Sequence, residues 1–240
     1  MVGLGPGSDD YISPGALRAL SNCNVVAGYK TYIKLIKHLL KEQEIISTGM
    51  TKEIDRCRLA VARAQAGDHV AMVSSGDPGV YGMAGLVLEI AHQEGLLGKM
   101  DIEIIPGITS ASIAAAKLGA PLMHDFAVIS LSDLLTPWHV IEKRLELAAR
   151  GDFVTVLYNP ASMKRKDQIV RAREIMLAQR TPETPVGLVR NAEREDEEVV
   201  LTDLENMLKH NIDMLTTVVV GSSNTRRLGD FLVTPRGYRL

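Results

Sequence analysis

The sequence predicts an α/β protein built from two α/β domains, and three observations support this fold class. Short apolar runs typical of strands alternate with stretches of helical periodicity along the 240 residues, which is the order found in sheets covered by helices. Hydrophobic residues make up 46% of the chain but aromatic residues only 4%, so the core must consist mainly of aliphatic side chains. Strand-like runs become denser after Gly119-Ala120-Pro121. We therefore expect an N-terminal domain over 1–119 and a C-terminal domain over 120–240.

Apolar periodicity and boundary residues define each element of the first half. The opening strand is followed by a helix with Ser13 as N-cap and Pro14 in its first turn. The third helix closes at Gly67, as helices often do at glycine. In order, the predicted elements are strand VGLG, helix SPGALRALSN, strand NVVAG, helix YIKLIKHLL, strand EIIS, helix TKEIDRCRLAVARAQAG, strand HVAMVS, helix GLVLEIAHQEG, strand DIEIIP and helix TSASIAAAKLG.

The second half is predicted in the same way. Its strands are FAVISLS, FVTVLYNP, PVGLVRN and LTTVVVGS, separated by helices near 137–149, 166–179 and 203–209. The charge run EREDEEVV at 193–200 predicts a solvated loop or hairpin rather than a metal site.

Composition limits the classes of function. With 27 basic and 29 acidic residues, the net charge of −2 disfavours nucleic acid as a partner. No apolar run is long enough for a membrane helix, and the chain opens on a strand and a glycine loop, so we expect neither a membrane span nor a signal peptide. Two cysteines, Cys23 and Cys57, form no disulfide framework and fit a reducing cytoplasm. No metal-binding motif such as CxxC or HExxH is present.

The glycine-rich stretch VGLGPGSDD does not meet the requirements of a dinucleotide fingerprint. The fingerprint needs G-x-G-x-x-G, but position 8 is Ser and Pro6 stiffens the loop. It also needs an acidic residue at the end of the next strand to bind a ribose hydroxyl, and that strand ends in Ala27, Gly28, Tyr29 and Lys30. A Rossmann-type nucleotide site is therefore disfavoured.

Three loops of the first half instead lie where ligands bind, at the carboxyl ends of predicted strands. They are GLGPGS (3–8), SSGDPGVYG (74–82) and PGITSAS (106–112). Gly76 and Gly79 allow the backbone to approach a ligand closely, and Asp77 can accept hydrogen bonds. The third loop starts a helix whose first N–H groups favour polar or anionic groups. Taken alone, however, Gly-Asp-Pro-Gly is more simply explained as a tight turn.

Together the three loops resemble the tetrapyrrole methylase family of methyltransferases that use S-adenosylmethionine, and the resemblance covers nearly the whole chain. The segments GYKTYIKLI, STGMTKEIDRC, GDPGVYGMAG, LGAPLMHDF, ISLSDLLTPWHVIEKRL and TPRGYRL look like the branch that methylates C17 of precorrin-3B or cobalt-precorrin-3 and contracts the macrocycle in corrin synthesis. The one departure is a first strand shorter than the usual lead-in of the family.

The resemblance implies a fold of two α/β domains with the cofactor in the cleft between them, a homodimer, and S-adenosylhomocysteine as a product. It implies cofactor contacts from both halves of the chain. Asn159 and Ala192 are the weaker matches, because the family often has an apolar residue and a glycine there. The implied cofactor residues are Pro6, Ser75, Gly76, Asp77, Val80, Tyr81, Thr109, Ser110, Tyr158, Asn159, Asn191 and Ala192.

The implied substrate is an anionic tetrapyrrole, with or without cobalt, and the sequence offers groups for it. Ring contraction requires proton transfer, for which His124, Asp125 and His139 are candidates. Basic residues around an apolar slot would bind the peripheral carboxylates. The candidates for substrate contacts are Lys30, Lys117, Ser132, Asp133, Trp138 and Arg144, with Lys52, Arg56 and Lys164-Arg165-Lys166 as further cations.

Two other functions remain open from the sequence. One is a methyltransferase of the same fold that acts on another precorrin carbon, a protein or ribosomal RNA. The other is a non-catalytic module that binds a tetrapyrrole or a nucleotide without turnover. Labelled methyl transfer from S-adenosylmethionine to a tetrapyrrole would distinguish them.

Overall fold

The computed structural model describes residues 1–49, 52–162 and 165–239. It divides into two compact units, Met1–Thr109 and Ser110–Leu240. In the first unit the elements are β1 (Val2–Gly3), α1 (Pro14–Asn22), β2 (Val25–Tyr29), α2 (Lys30–Ile36), β3 (Glu44–Thr48), α3 (Glu53–Gln65), β4 (Val70–Ser74) and α4 (Ala84–Gln93). In the second they are α5 (Ser110–Leu118), β5 (Gly119–Ala120), β6 (Phe126–Ser130), α6 (Trp138–Arg150), β7 (Val154–Tyr158), α7 (Asp167–Leu177), β8 (Pro185–Arg190), β9 (Glu198–Asp203), β10 (Thr216–Val220), β11 (Arg226–Leu228) and β12 (Phe231–Val233).

The first unit is a parallel sheet in the order β1-β4-β2-β3 with helices on both faces. Alternate strand residues point to opposite faces. Val26 and Val73 therefore pack with α1 and α2, and Ala27 and Met72 pack with α3 and α4. The predicted N-cap is confirmed, since the Ser13 side chain accepts the Ala16 N–H at 3.1 Å.

The second unit has a five-stranded sheet in the order β6-β7-β10-β8-β9, in which only β6 and β7 are parallel neighbours. Helices α6 and α7 cover one face, and α5 covers the other. Gly187 allows α5 to lie close to the sheet, because a Cβ there would come within 2.4 Å of the Leu118 side chain. A small sheet, β11-β12-β5, completes the unit.

The units divide one helix before the boundary between residues 119 and 120 that the sequence predicts. The reason is the packing of α5, whose Ala111, Ala114 and Leu118 are buried against Val156 and Val219 of the second sheet. Hence α5 belongs with the second unit.

Some predicted elements are wrong. DIEIIP forms a single parallel bridge, Val2 with Ile105, instead of a strand. The helix near 203–209 is the end of β9 followed by a short 3-10 turn, Met207–Lys209. The charge run leads into β9, which pairs with β8 as a hairpin, so that prediction is confirmed. None of the helices in the described ranges is long and apolar enough to span a membrane.

Each sheet brings loops together at one edge. In the first unit, the residues that follow β1 and β4 lie side by side because these strands are parallel neighbours. In the second unit, the loops after β6, β7 and β8 share an edge with the loop before β10, since β10 runs antiparallel to both β7 and β8. These two edges contain most of the predicted site residues.

Candidate functional site

The loops after β1 and β4 are joined by their backbones. The Gly76 N–H donates to the Gly5 carbonyl oxygen at 2.7 Å, and the Gly5 N–H donates to that of Gly76 at 3.1 Å. Both glycines have positive φ, 70° for Gly5 and 66° for Gly76, a conformation that glycine adopts without steric cost. Pro6, next in the first loop, is buried. The two loops therefore form one continuous surface.

The third loop joins this surface at a contact that we call the glycine junction, formed by Gly3, Gly76 and Gly107. A Cβ added to Gly107 would lie 2.1 Å from the Gly76 carbonyl oxygen, and one added to Gly3 would lie 2.5 Å from the Gly107 nitrogen. Only glycine permits so close an approach of three backbone segments. The sequence places Gly3 and Gly107 in the predicted loops, but no local pattern indicates this contact.

The Asp77 carboxylate ties the second loop to the third. One oxygen accepts the Gly79 N–H at 2.8 Å and the other accepts the Gly107 N–H at 3.0 Å. The tight-turn interpretation of Gly-Asp-Pro-Gly is thus correct, and the aspartate also spans two loops. A carboxylate has about four acceptor positions, so Asp77 keeps capacity for a ligand.

The residues that follow Asp77 present apolar surface to solvent. Val80 is 38% exposed and Tyr81 is 56% exposed. Tyr81 also has φ of 54°, which is uncommon for a bulky residue and is enriched at functional sites. Ser75, at the start of the loop, is partly buried. Thr109 and Ser110, at the end of the third loop, are partly buried too.

In the second unit, the predicted cofactor residues follow two strands. Asn159 follows β7 and Asn191 follows β8, and both have φ of 51°. Because only β10 separates these strands, the two residues are about 10 Å apart. The Asn191 N–H donates to the Leu215 carbonyl oxygen at 3.1 Å, while Ala192 packs against the core.

The hydroxyl of Tyr158 has a structural partner. It accepts the Ala111 N–H at 2.6 Å, and this N–H lies in the first turn of α5, where helices have unpaired donors. One of the N–H groups that the sequence assigned to a ligand is therefore bound by the protein itself.

The predicted substrate residues fall into two groups. Ser132, Asp133 and Trp138 lie in or directly after the loop that follows β6, and Trp138 packs partly against the core. Lys30 is exposed at the start of α2, directly after β2, and Arg144 is exposed on α6.

Several predicted cations have protein partners instead. The Lys117 ammonium lies 2.5 Å from a Glu193 carboxylate oxygen and 3.0 Å from one of Glu197, and these hydrogen bonds raise the pKa of Lys117. Lys52 pairs with Asp55 at 3.3 Å, and Arg56 is buried and donates to Thr48. Lys166 is exposed, and Lys164 lies outside the described residues.

The candidate acid–base groups are separated along β6. His124 and Asp125 precede this strand and are exposed. They therefore lie at the opposite edge of the sheet from Ser132 and Asp133, about 16 Å away along five residues. His139 is exposed in the first turn of α6, on the same side as Ser132 and Asp133. Of the three candidate acid–base groups, His139 is the one that lies beside the predicted substrate loop.

The family model described as Tetrapyrrole (Corrin/Porphyrin) Methylases matches residues 1–208. The chain is a tetrapyrrole methylase. This methylase is 53% identical to the cobalt-factor III methyltransferase of Priestia megaterium over its whole length, but it spans only 45% of that relative. It is 48% identical to the probable cobalt-factor III C(17)-methyltransferase of Salmonella typhimurium, with 100% of the chain and 99% of the relative covered.

Solved structures agree with this membership. The crystal structure of the methyltransferase CobJ superposes on this methylase with a TM-score of 0.93 and 38% identity, covering 98% of each chain. A uroporphyrin-III C-methyltransferase from Thermus thermophilus superposes with a TM-score of 0.70 and 28% identity, covering 92% of this chain and 90% of that one.

We expect Asp77→Ala to weaken S-adenosylmethionine binding roughly ten- to hundredfold. The variant removes the acceptor positions that Asp77 keeps for hydroxyl or ammonium groups of the cofactor, as well as the acceptors of the Gly79 and Gly107 N–H groups. Losing a hydrogen bond to a charged group costs about 1.5–3 kcal/mol. Calorimetric titration of the cofactor measures the effect. Asp77→Asn keeps one acceptor oxygen and should lose less. Asp55→Ala, on the exposed surface of α3, is the control, and an Asp77→Ala affinity equal to that of this control would contradict the assignment.

Proposed function

We propose that this tetrapyrrole methylase transfers a methyl group from S-adenosylmethionine to C17 of cobalt-factor III or precorrin-3B, with ring contraction, in cobalamin biosynthesis. The observation that supports this most strongly is the 48% identity to the probable C(17)-methyltransferase of Salmonella typhimurium, since nearly all of both chains is aligned. The 38% identity to CobJ over 98% of each chain supports it independently.

The glycine junction and the loops around it fit S-adenosylmethionine. The absence of Cβ atoms lets the three loop backbones pack together, which brings the ends of all three loops, with the Asp77 carboxylate, to one edge of the sheet. Val80 and Tyr81 offer exposed apolar area for an adenosyl group. We assign cofactor contacts in the first unit to Pro6, Ser75, Gly76, Asp77, Val80, Tyr81 and Thr109, and in the second unit to Ser110, Tyr158, Asn159, Asn191 and Ala192.

The methyl transfer itself needs little acid–base help. When bound, S-adenosylmethionine supplies a methyl group on a sulfonium, which is a good leaving group. The chain's part is to hold and orient the two reactants and to exclude water, which can lower a barrier by about 7–11 kcal/mol. Ring contraction differs because an oxygen function must gain or lose protons. We assign this role to His139, which is exposed beside the loop that contains Ser132 and Asp133.

The substrate's peripheral carboxylates require cations. Lys30 and Arg144 are exposed, and we assign them to these carboxylates. Lys117 is not included because Glu193 and Glu197 already neutralise it.

Incubation of the purified chain with methyl-labelled S-adenosylmethionine and each of the two tetrapyrroles tests the function. We expect S-adenosylhomocysteine and a tetrapyrrole heavier by one methyl group in equal amounts, and comparison of cobalt-factor III with metal-free precorrin-3B identifies the natural substrate. Binding of both reactants without turnover would instead indicate a non-catalytic module. Label in added protein or ribosomal RNA, but not in the tetrapyrrole, would indicate a different acceptor.

We further propose that the chain acts as a homodimer in the cytoplasm. Cys23 and Cys57 are both free thiols, which suits a reducing compartment, and the dimer follows from the family resemblance. A monomeric mass by sedimentation at micromolar concentration would contradict the dimer.

A further inference from the structure

The guanidinium of Arg165 contacts three loops at the carboxyl edge of β6 and β7. One terminal nitrogen, Nη1, donates to the Leu131 carbonyl oxygen at 2.8 Å and lies 3.5 Å from that of Asn159. Nε lies 3.7 Å from an Asp133 carboxylate oxygen, and Nη2 lies 3.6 Å from the Met214 sulfur. The side chain is only 12% exposed. Arg165 therefore faces protein groups rather than solvent.

Further side-chain contacts fix the base of the loop after β6, residues 131–135. The Asn159 side chain donates to the Ser130 hydroxyl at 2.9 Å, and Gln168 donates to the second oxygen of Asp133 at 3.0 Å. The backbone of Arg165 is itself held by two hydrogen bonds with Ser162. The base of this loop is thus held by three side chains from the segment between β7 and α7 and from α7 itself, Arg165, Asn159 and Gln168.

The tip of this loop has the opposite character. Leu134 is 77% exposed and Leu135 is 98% exposed. The two adjacent leucines form a contiguous apolar patch beside the anchored base of the loop. Contiguous exposed apolar patches mark binding sites. The tip lies at the edge that contains Asn159 and Asn191, where ligands of α/β sheets bind.

We propose that Arg165 is a positioning residue for tetrapyrrole binding, which holds the 131–135 loop so that Leu134 and Leu135 contact the apolar face of the macrocycle. This inference rests on the proposed function. It differs from the prediction that Arg165 binds a substrate carboxylate, because its donors are directed at main-chain oxygens and at Asp133. The planar fork of arginine can serve several acceptors at once, whereas a lysine ammonium is a single point of charge.

Two variants distinguish the geometry of the guanidinium from its charge: Arg165→Lys keeps the positive charge but not the planar fork, and Arg165→Met removes both. If Arg165 positions the loop, both variants should raise the KM for the tetrapyrrole about tenfold, while S-adenosylmethionine affinity and kcat change less than about threefold. A wild-type KM in Arg165→Lys, together with a raised KM in Arg165→Met, would show a direct charge contact and overturn the proposal. Arg150→Met, an exposed arginine at the end of α6, is the control and should keep the wild-type KM.

A second measurement does not depend on activity. Trp138 is the only tryptophan and lies just after the loop. Its emission should shift to longer wavelength in both Arg165 variants but not in Arg150→Met, with cooperative unfolding retained. Unchanged emission would mean that Arg165 does not hold the loop.

The leucines are tested by Leu134→Ser/Leu135→Ser, which alters only exposed side chains and should fold normally. We expect a similar tenfold rise in the KM for the tetrapyrrole. The Leu134→Met/Leu135→Met variant, which keeps apolar side chains at both positions, should have the wild-type KM. Leu147→Ser, another exposed leucine (57%), is the control. An unchanged KM, or a change in oligomeric mass instead of KM, would overturn the proposal. If the wild type transfers no methyl group to either tetrapyrrole, the proposed function fails, whereas Trp138 emission still reports on the role of Arg165.

Discussion

Replacing Gly107 with alanine is expected to lower the affinity for S-adenosylmethionine by up to about a hundredfold and to destabilise the first unit. The new Cβ would lie 2.1 Å from the Gly76 carbonyl oxygen and 2.9 Å from backbone atoms of Gly3. These are main-chain atoms, which cannot rotate away as a side chain can. Overpacking a tight site typically costs about 1–3 kcal/mol, and we expect this variant at the upper end. If this cost is borne by the bound conformation of the loops, about 3 kcal/mol corresponds to a hundredfold loss of affinity.

Gly85→Ala is the matched control for this variant. It makes the same chemical change near the start of α4, where an added Cβ meets no atom within 4 Å. Alanine favours a helix over glycine by up to about 1 kcal/mol, so this variant should bind the cofactor normally and unfold at slightly higher urea concentration. Calorimetry and urea titration of both variants provide the comparison. Equal affinities in the two would mean that the glycine junction does not shape the cofactor site.

Arg180→Met is expected to destabilise the second unit by about 2–4 kcal/mol. Arg180 is buried, and its guanidinium donates to the carbonyl oxygens of Gly221 and Phe153. Methionine fills similar volume but leaves the Gly221 carbonyl oxygen without this donor and removes one of two hydrogen bonds to the Phe153 carbonyl oxygen, which keeps the Thr155 hydroxyl. Each lost hydrogen bond costs about 1–3 kcal/mol. Part of this cost is offset because the guanidinium charge no longer has to be buried. Burial lowers the pKa of Arg180, and the nearby Asp152 carboxylate partly opposes that shift.

Thermal and urea denaturation measure the effect of Arg180→Met. The melting temperature should fall by roughly 5–15 °C, while Arg150→Met, at the exposed end of α6, should melt like the wild type. Cofactor affinity at 25 °C should change little, because Arg180 binds neither the glycine junction nor the loops that follow β6, β7 and β8. A melting temperature within a degree of the wild type would contradict the structural role of these two hydrogen bonds.

Local sequence signals predicted most of the fold. Ser13 with Pro14 defined the start of α1, and Gly67, with φ of 99°, follows the end of α3 as predicted. The strand predicted over DIEIIP is wrong. Its apolar residues have the pattern of a strand, but within this segment only Ile105 has a bridge partner. The small sheet β11-β12-β5 pairs residues more than a hundred positions apart, and no local pattern indicates that.

The candidate site was predicted in its composition but not in its contacts. The three loops could be found because glycine, proline and aspartate mark turns after strands. The partner of Asp77 could not, because Gly107 is thirty residues further along the chain. Lys117 looked available for a substrate carboxylate for the same reason, since its neutralising glutamates lie beyond residue 190. Arg165 was recognised as a cation, but only the structure shows the main-chain oxygens that it binds.

The glycine junction also affects the order in which the first unit folds. Its three members are at positions 3, 76 and 107, so the loops around it cannot assemble until nearly all of Met1–Thr109 has left the ribosome. Contacts between residues so far apart have a high loop-closure cost and form late. A ligand that recognises only the assembled junction has nothing to bind in the nascent chain. It therefore acts on the finished unit, where it slows unfolding and does not accelerate folding.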